Sequence, residues 1–321
     1  MVGRRRRGRR WLGPLLVVAL VVSWALLGER LRGLVGLPGD GGAPDKAGRL
    51  RIATWNLRNF PGERQDLPRL RARLQELAAD VIAVQEVRDP GALRALMPGW
   101  GLALSEAGGR GGQRLGFLYD PSAVELVGAP REHAALAMGG LVRPGFSGYL
   151  RARGGGPDFH VVVVHLKSRA EGHGLRRAQW DALAEIVVND VARGDADLVL
   201  LGDFNATGAE RGREAQELAD LDARFGAVGL RRVASAGGCS AYWDGARRDA
   251  WHEPSLLDLV WVAGLREAGE GPLEARALLH CARHHCAAFR STEAHPEPDY
   301  ADLSDHCPVV VDVPRGVDDD P

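Results

Sequence analysis

The chain has 321 residues, of which 45% are apolar and 26% charged, a balance that supports a sizeable core and excludes a disordered or collagen-like chain. Its formal net charge of −1 hides an asymmetry: residues 1–32 hold eight Arg and one Glu, which leaves the rest near −8. The bulk of the chain is therefore acidic, and its many Arg residues are not by themselves a nucleic-acid footprint.

In chain order, Met1–Arg10 is a basic block and Trp11–Leu27 an apolar run, followed by Glu29, Arg30 and Arg32. A charged segment ahead of a hydrophobic one is the pattern of a signal peptide or a membrane anchor. The run just reaches the lower limit for spanning hydrocarbon, about 17 residues. Trp24, Leu26 and Leu27 stand where a cleavage site would need small residues, so the pattern predicts an uncleaved transmembrane anchor over residues 1–32. The basic block would stay in the cytoplasm, placing the C-terminal domain outside it. A cleaved signal and a secreted protein are the alternative. Gly33–Gly48, rich in Gly, Pro and Asp, reads as a flexible linker, residues 49–315 as the globular domain and 316–321 as a short tail.

Within 49–315, β-branched runs predict strands at Leu50–Trp55, Val81–Gln85, Leu115–Tyr119, Phe159–His165, Leu198–Leu201, Leu256–Val262 and Pro308–Val313. Apolar residues at helical spacing predict helices over Leu67–Ala79 and Arg176–Arg193. Strands predominate, and no GxGxxG follows the first of them. The expected fold is α+β, a two-sheet β-sandwich flanked by helices in four α/β/β/α layers. Cys239, Cys281, Cys286 and Cys307 allow three disulfide connectivities. Cys281 and Cys286, beside His280, His284 and His285, also resemble a zinc cluster, although paired zinc cysteines more often sit two residues apart.

The chemistry concentrates where polar residues end apolar strands, because a carboxylate or imidazole buried there without a partner costs several kcal/mol, roughly. Five places qualify: Asn56 after Trp55, Glu86 in Gln85-Glu86-Val87, His165 before Leu166-Lys167-Ser168, Asp203 and Asn205 in Gly202–Ala206, and Asp305-His306 in Ser304–Val309. Singly, each has a structural reading as a turn residue, a surface carboxylate or a hydrogen-bonded core histidine. Together, from Arg51 to Val313, they resemble the endonuclease/exonuclease/phosphatase superfamily, with GDFNA at Gly202–Ala206 and SDHCPV at Ser304–Val309 as the most specific pieces. Leu256–Val260, which carries Asp258, is similar to the family's penultimate strand.

The resemblance implies a Mg2+-dependent phosphodiesterase, with Mn2+ and Ca2+ as alternative ions, and a nucleic acid or other phosphodiester as partner. Glu86 would be the principal ligand of a hard divalent ion, with Asn56 and Asp305 completing that side. His306 would activate the attacking water, with Asp258 fixing its tautomer. Asp203 and Asn205, alternate residues on one strand, would reach one phosphate. His165 would donate to that phosphate or protonate the leaving oxygen; the acid and base roles of the two histidines could be exchanged. Arg143 sits where the family has a phosphate-contacting Arg, a water-facing loop Arg being the other reading. Lys167, Arg169, Arg176 and Arg177 either rim the phosphate site or form a solvated loop. The sequence departs from pancreatic-type deoxyribonucleases in having Gln113 where they have a Glu supporting the first histidine, and Gly111 near their minor-groove Tyr. Three substrate readings follow: a nuclease, a phosphodiesterase or phosphatase for lipid headgroups or small molecules, and a binding domain that has lost its chemistry. The presence of Glu86, His165, Asp203, Asn205, Asp258 and His306 together disfavours the third.

Overall fold

The computed structural model describes Lys46 and residues 48–316, apart from 192–196, 245–248 and 266–270. All of them fall in the unit Gly41–Pro321. Strands β1 (Leu50–Phe60), β2 (Val81–Val87), β3 (Gly101–Leu104), β4 (Arg114–Tyr119), β5 (Val124–His133), β6 (Gly145–Ala152), β7 (Asp158–His165) and β8 (Leu198–Asp203) come first. They are followed by β9 (Arg231–Arg232), β10 (Ala234–Ala236), β11 (Ala241–Asp244), β12 (Trp251–Ser255), β13 (Asp258–Ala263), β14 (Glu274–Ala277), β15 (Phe289–Arg290) and β16 (Val309–Val313). One sheet has the order β10-β14-β16-β1-β2-β4-β3, the other β5-β6-β7-β8-β13-β9, and β11-β12-β15 form a small third sheet.

Period-2 alternation explains the layering. Ile52, Val81, Phe117, Val161, Val163, Val199, Leu201 and Val260 fill the space between the two large sheets. The intervening residues of the first sheet, among them Ala53, Trp55, Ile82 and Val84, pack against helices α1 (Leu67–Glu76) and α2 (Pro90–Leu96). On the second sheet, Val162, Val164, Leu198 and Leu200 pack against α3 (His173–Ile186) and α4 (Glu214–Gly226). The result is the expected four layers. Both α1 and α2 start on an Asp cap followed by Pro in the first turn: Asp66 accepts from the Arg69 N–H, and Asp89 from those of Gly91 and Ala92.

The expected anchor and most of the linker, residues 1–45, lie outside the described residues, as does the tail 317–321. The expectation of a membrane partner and a membrane-anchored, extracytoplasmic placement is corrected here. Among the described residues no helix is long and apolar enough to cross a membrane. The run Trp11–Leu27 that suggested both a signal and an anchor has no described structure.

The reading of Arg176 as a phosphate-site residue also changes. Its guanidinium is fully buried, pairs with Glu217 at 2.6 Å, and donates to the carbonyls of Lys167, Arg169 and Gly208. It ties together the loops that follow β7 and β8. Arg169 and Arg177 stay exposed. Replacing Glu217 by Ala would strand that buried cation, so urea unfolding should show a loss of about 3–5 kcal/mol. A loss below about 1 kcal/mol would mean that the carbonyls alone suffice.

Candidate active site

The site lies at one end of the inter-sheet core, where the inward-facing rows of four strands finish in polar residues. Asn56 continues the inward row of β1, paired with Gln85 of β2. On the other sheet His165, Asp203 and Asp258 are direct partners across β7, β8 and β13. Direct partners project to the same face, so the imidazole and two carboxylates stand side by side. The strands approach closely because residue 202 is Gly: at its φ of 136° a Cβ would lie 2.1 Å from the Val164 carbonyl oxygen.

Glu86 would point away from the site on a regular strand. The register of β2 against β4 shifts between Val84 and Val87, and Glu86 has a left-handed φ of 62°. That irregularity turns its carboxylate inward. Asn205 also has a positive φ, 50°, beyond the end of β8. The expected strand alternation of Asp203 and Asn205 therefore does not apply. Asn205 instead gives its amide to the Leu166 carbonyl at 3.2 Å and its N–H to Asp203 at 2.9 Å.

Asn56 Nδ2 donates to Asp203 Oδ2 at 3.0 Å and approaches Glu86 Oε1 at 3.4 Å. His165 Nε2 lies 3.3 Å from Asp203 Oδ2 and 3.8 Å from Glu86 Oε1. His306 Nδ1 is 2.7 Å from Asp258 Oδ2, with its Nε2 3.8 Å from Asp203 Oδ2. Arg143 is brought in as well, held to the Leu166 carbonyl at 3.3 Å. Lys167 is beside the site, but its Nζ donates to the Ser168 carbonyl. Asp305 is half-exposed and pairs with Arg58 at 3.8 Å rather than with Asn56 or Glu86. Gln113 donates to Asn59 at 2.7 Å, and the Asn59 N–H donates to Glu86, so Gln113 acts on the Glu86 side of the site and not on His165.

Two serines escaped the sequence reading. The Ser240 hydroxyl donates to Asp258 Oδ2 at 2.9 Å and accepts the Asp258 N–H at 2.7 Å. Ser304 donates to the Asn56 carbonyl at 2.7 Å and accepts the His306 N–H, coupling β1 to the histidine. Ser304 was visible inside its motif, whereas Ser240 carries no local signal.

Burial pushes the Asp203 carboxyl up to about 7; Asp258 adds to the rise, while His306 and hydrogen bonds from Asn205 and Asn56 oppose it. Burial also pulls His306 down, but Asp258 and Asp203 outweigh it and hold the imidazole well above its usual range. His165 is held well below that range, by burial first and then by Arg143, His306 and Lys167. His165 is thus neutral at pH 7, and His306 carries a proton. Arg143 Nε, His165 Nδ1 and Asp258 Oδ1 are buried without a hydrogen-bond partner. Unsatisfied groups of this kind suit a site completed by substrate or water.

The Glu86 and Asp203 carboxylates that converge here are hard oxygen donors that fit a divalent ion such as Mg2+, while the Asn56 amide turns its nitrogen to both and its oxygen to the Arg58 N–H. The excess of buried negative charge is what such an ion would offset. A second cluster, His280, Cys281 and Cys307, brings one ligand atom from each residue within 4.8 Å of the others. As thiolates they would suit a soft ion and not Mg2+. Here Cys281 is bonded to Cys307, and Cys239 to Cys286. Of the two readings of the cysteines, disulfides and a zinc grouping around Cys281 and Cys286, the structure has the disulfides, and His284 pairs with Glu297 at 2.9 Å. Burial pushes His280 down to about 4 against the pull of Glu297, Asp299 and the Asp305 backbone.

Comparison with known proteins agrees with this architecture. The model of the Endonuclease/Exonuclease/phosphatase family matches residues 53–306, and the chain belongs to that family. It is 28% identical over 204 residues to a Bos taurus protein described as endonuclease/exonuclease/phosphatase family domain-containing protein 1, a match covering 51% of this chain and 35% of that protein. Among solved structures it is similar to D. rerio TDP2 complexed with a single-strand DNA product, with TM-score 0.58 and 14% identity over 82% of this chain and 98% of that one. It is also similar to a mannosyl-6-phosphatase of Bacteroides thetaiotaomicron, with TM-score 0.53 and 18% identity over 82% and 98%. At such identities the solved structures show the shared fold alone.

A base must shed its own proton before it can accept one, so if His306 is the base the rate should rise with pH through its raised pKa. Asp258→Asn removes the main upward pull. The rising limb of the pH–rate profile should then move to lower pH, with the maximal rate reduced about 10²–10⁴-fold. A limb that stays in place would sever His306 from the rate-determining proton.

Proposed function

We propose that the chain is a metal-dependent phosphodiesterase whose substrate is nucleic acid, DNA or RNA. The observation that carries this reading is the pair of facing proton sites, His306 on Asp258 and Asp203 beside His165, at the mouth of one buried cluster. Glu86, with Asn56 beside it, would hold the divalent ion, which when bound supplies polarisation of a phosphoryl oxygen. In the fraction of molecules whose His306 has lost its proton, Nε2 takes the proton of the attacking water, and Asp258 fixes the tautomer through Nδ1 and stabilises the imidazolium that forms. Asp203, raised to about 7 and therefore able to carry a proton at neutral pH, delivers one to the leaving oxygen. His165, neutral, serves as a hydrogen-bond donor rather than the acid. Arg143, whose Nε is buried and unpartnered, would receive a phosphoryl oxygen, and the Asn205 amide, which gives one N–H to the Leu166 carbonyl, would offer its other one. Asp305, which faces Arg58 at 3.8 Å, would be an outer partner of the ion.

The nucleic-acid choice is supported by the single-strand DNA product bound to a protein of the same fold. A sugar-phosphate substrate is the second reading, supported by the mannosyl-6-phosphatase of similar fold. Hydrolysis of plasmid DNA, RNA, sphingomyelin, bis-p-nitrophenyl phosphate and mannose 6-phosphate, with Mg2+ and with EDTA, separates them. Metal-dependent cleavage of a polynucleotide that is abolished by His306→Ala, with the circular dichroism spectrum unchanged, is the expected result. Release of phosphate from mannose 6-phosphate, with no polynucleotide cleavage, would transfer the lead to the second reading. Glu86→Gln should raise the Mg2+ concentration needed for half-maximal rate about tenfold or more; an unchanged titration would remove Glu86 as the ligand.

A further inference from the structure

The large hydrophobic side chains left exposed include Trp243 at 44% and Trp251 at 43%, and both belong to the small sheet β11-β12-β15. That sheet begins at the active site. Ala241, the first residue of β11, forms an antiparallel bridge with His306, and the Tyr242 N–H donates to the Asp305 carbonyl. Residues directly opposite across an antiparallel pair project to the same side, and so do residues two apart on one strand. His306, Ala241 and Trp243 therefore share a face. Trp243 is opposite Glu253, and Trp251 is two residues from Glu253, so both indoles stand on the face that carries the catalytic imidazole. At about 3.4 Å per residue, Trp243 lies about 7 Å along the strand from Ala241, with Trp251 about as far again.

A cation accompanies each indole. The Arg211 guanidinium sits 5.9 Å from the centroid of Trp243, reaching over from the loop that follows β8. Arg290 of β15 sits 5.9 Å from the centroid of Trp251. The opposite face of the sheet is anchored: Tyr242 packs on Phe289 at 4.7 Å and His252 on Tyr300 at 4.3 Å. The disulfides flank this arrangement, Cys239 two residues before Ala241 and Cys307 directly after His306. The two indoles are thus held on a braced support.

We infer that Trp243 and Trp251 form a stacking platform for the bases of single-stranded nucleic acid, with Arg211 and Arg290 taking its backbone phosphates and leading the strand to His306. The inference rests on the nuclease reading and deepens it by naming the strand state. Flat aromatic faces beside guanidinium groups match unpaired bases joined by phosphates. A bilayer fits less well: the chain between the two strands, Gly245-Ala246-Arg247-Arg248-Asp249-Ala250, offers no large apolar side chain to insert.

The test measures binding of the full chain to a fluorescently labelled single-stranded oligothymidylate by anisotropy, in EDTA so that no cleavage occurs. Trp243→Ala and Trp251→Ala should each weaken binding about tenfold, and Trp→Phe at either position should restore most of it. Hydrolysis of bis-p-nitrophenyl phosphate with Mg2+ should stay within about twofold of the parent, which excludes a merely structural role. Unchanged oligothymidylate affinity would overturn the platform. So would a loss confined to phosphatidylserine vesicles, which would make the face a membrane contact. Because binding is read without turnover, a chain that binds the oligonucleotide but cleaves only the small diester would sink the nuclease reading and leave the platform standing.

Discussion

Two carboxylates from neighbouring strands, Asp203 and Asp258, are forced side by side at the dry end of a β-sandwich, and the site is organised around making that arrangement tolerable. Both are essentially buried, and each is the other's direct partner across β8 and β13. Like charges at that spacing cannot both ionise cheaply. Asp258 is relieved by His306 at 2.7 Å and by the Ser240 hydroxyl, while Asp203 keeps a raised affinity for a proton. The same carboxylates raise His306, whereas burial, with Arg143, His306 and Lys167, keeps His165 neutral. Proton inventory at the site is thus set by strand register rather than by the intrinsic character of any one side chain.

The register reaches further than the pair itself. A hydroxyl from Ser304 ties Asn56 on one sheet to the His306 segment, and the Asn56 amide meets both Asp203 and Glu86. The two sheets therefore converge on one cluster whose rigidity comes from the core beneath it. The buried Arg176–Glu217 pair fixes the loops after β7 and β8 from behind. Such a site is assembled on strand ends and short loops, where small displacements are resisted by packing.

Much of this was legible in the sequence because buried strands write themselves as β-branched runs. The strands that carry Asn56, His165 and Asp203 begin within a residue of where the apolar pattern placed them, although the first runs on to Phe60 instead of stopping at Trp55. The long hairpin β5–β6 was not visible, since β5 is largely half-exposed and its register shifts around Gly-Ala-Pro. The inward turn of Glu86 and the positive φ of Asn205 are backbone irregularities that no residue pattern announces. Arg176 read as either a phosphate-rim or a solvated-loop residue because charge in a sequence does not reveal burial. Trp243 and Trp251 escaped notice because their shared face depends on the bridge between Ala241 and His306, residues distant along the chain.

The charge coupling itself is open to direct observation. Titration of the histidine rings by NMR in the metal-free protein should show His306 losing its proton well above the ordinary imidazole value of about 6.5, with His165 neutral throughout. In Asp203→Asn the His306 midpoint should fall. A His306 that titrates at or below the ordinary value, unmoved by Asp203→Asn, would contradict the coupled cluster on which the account stands.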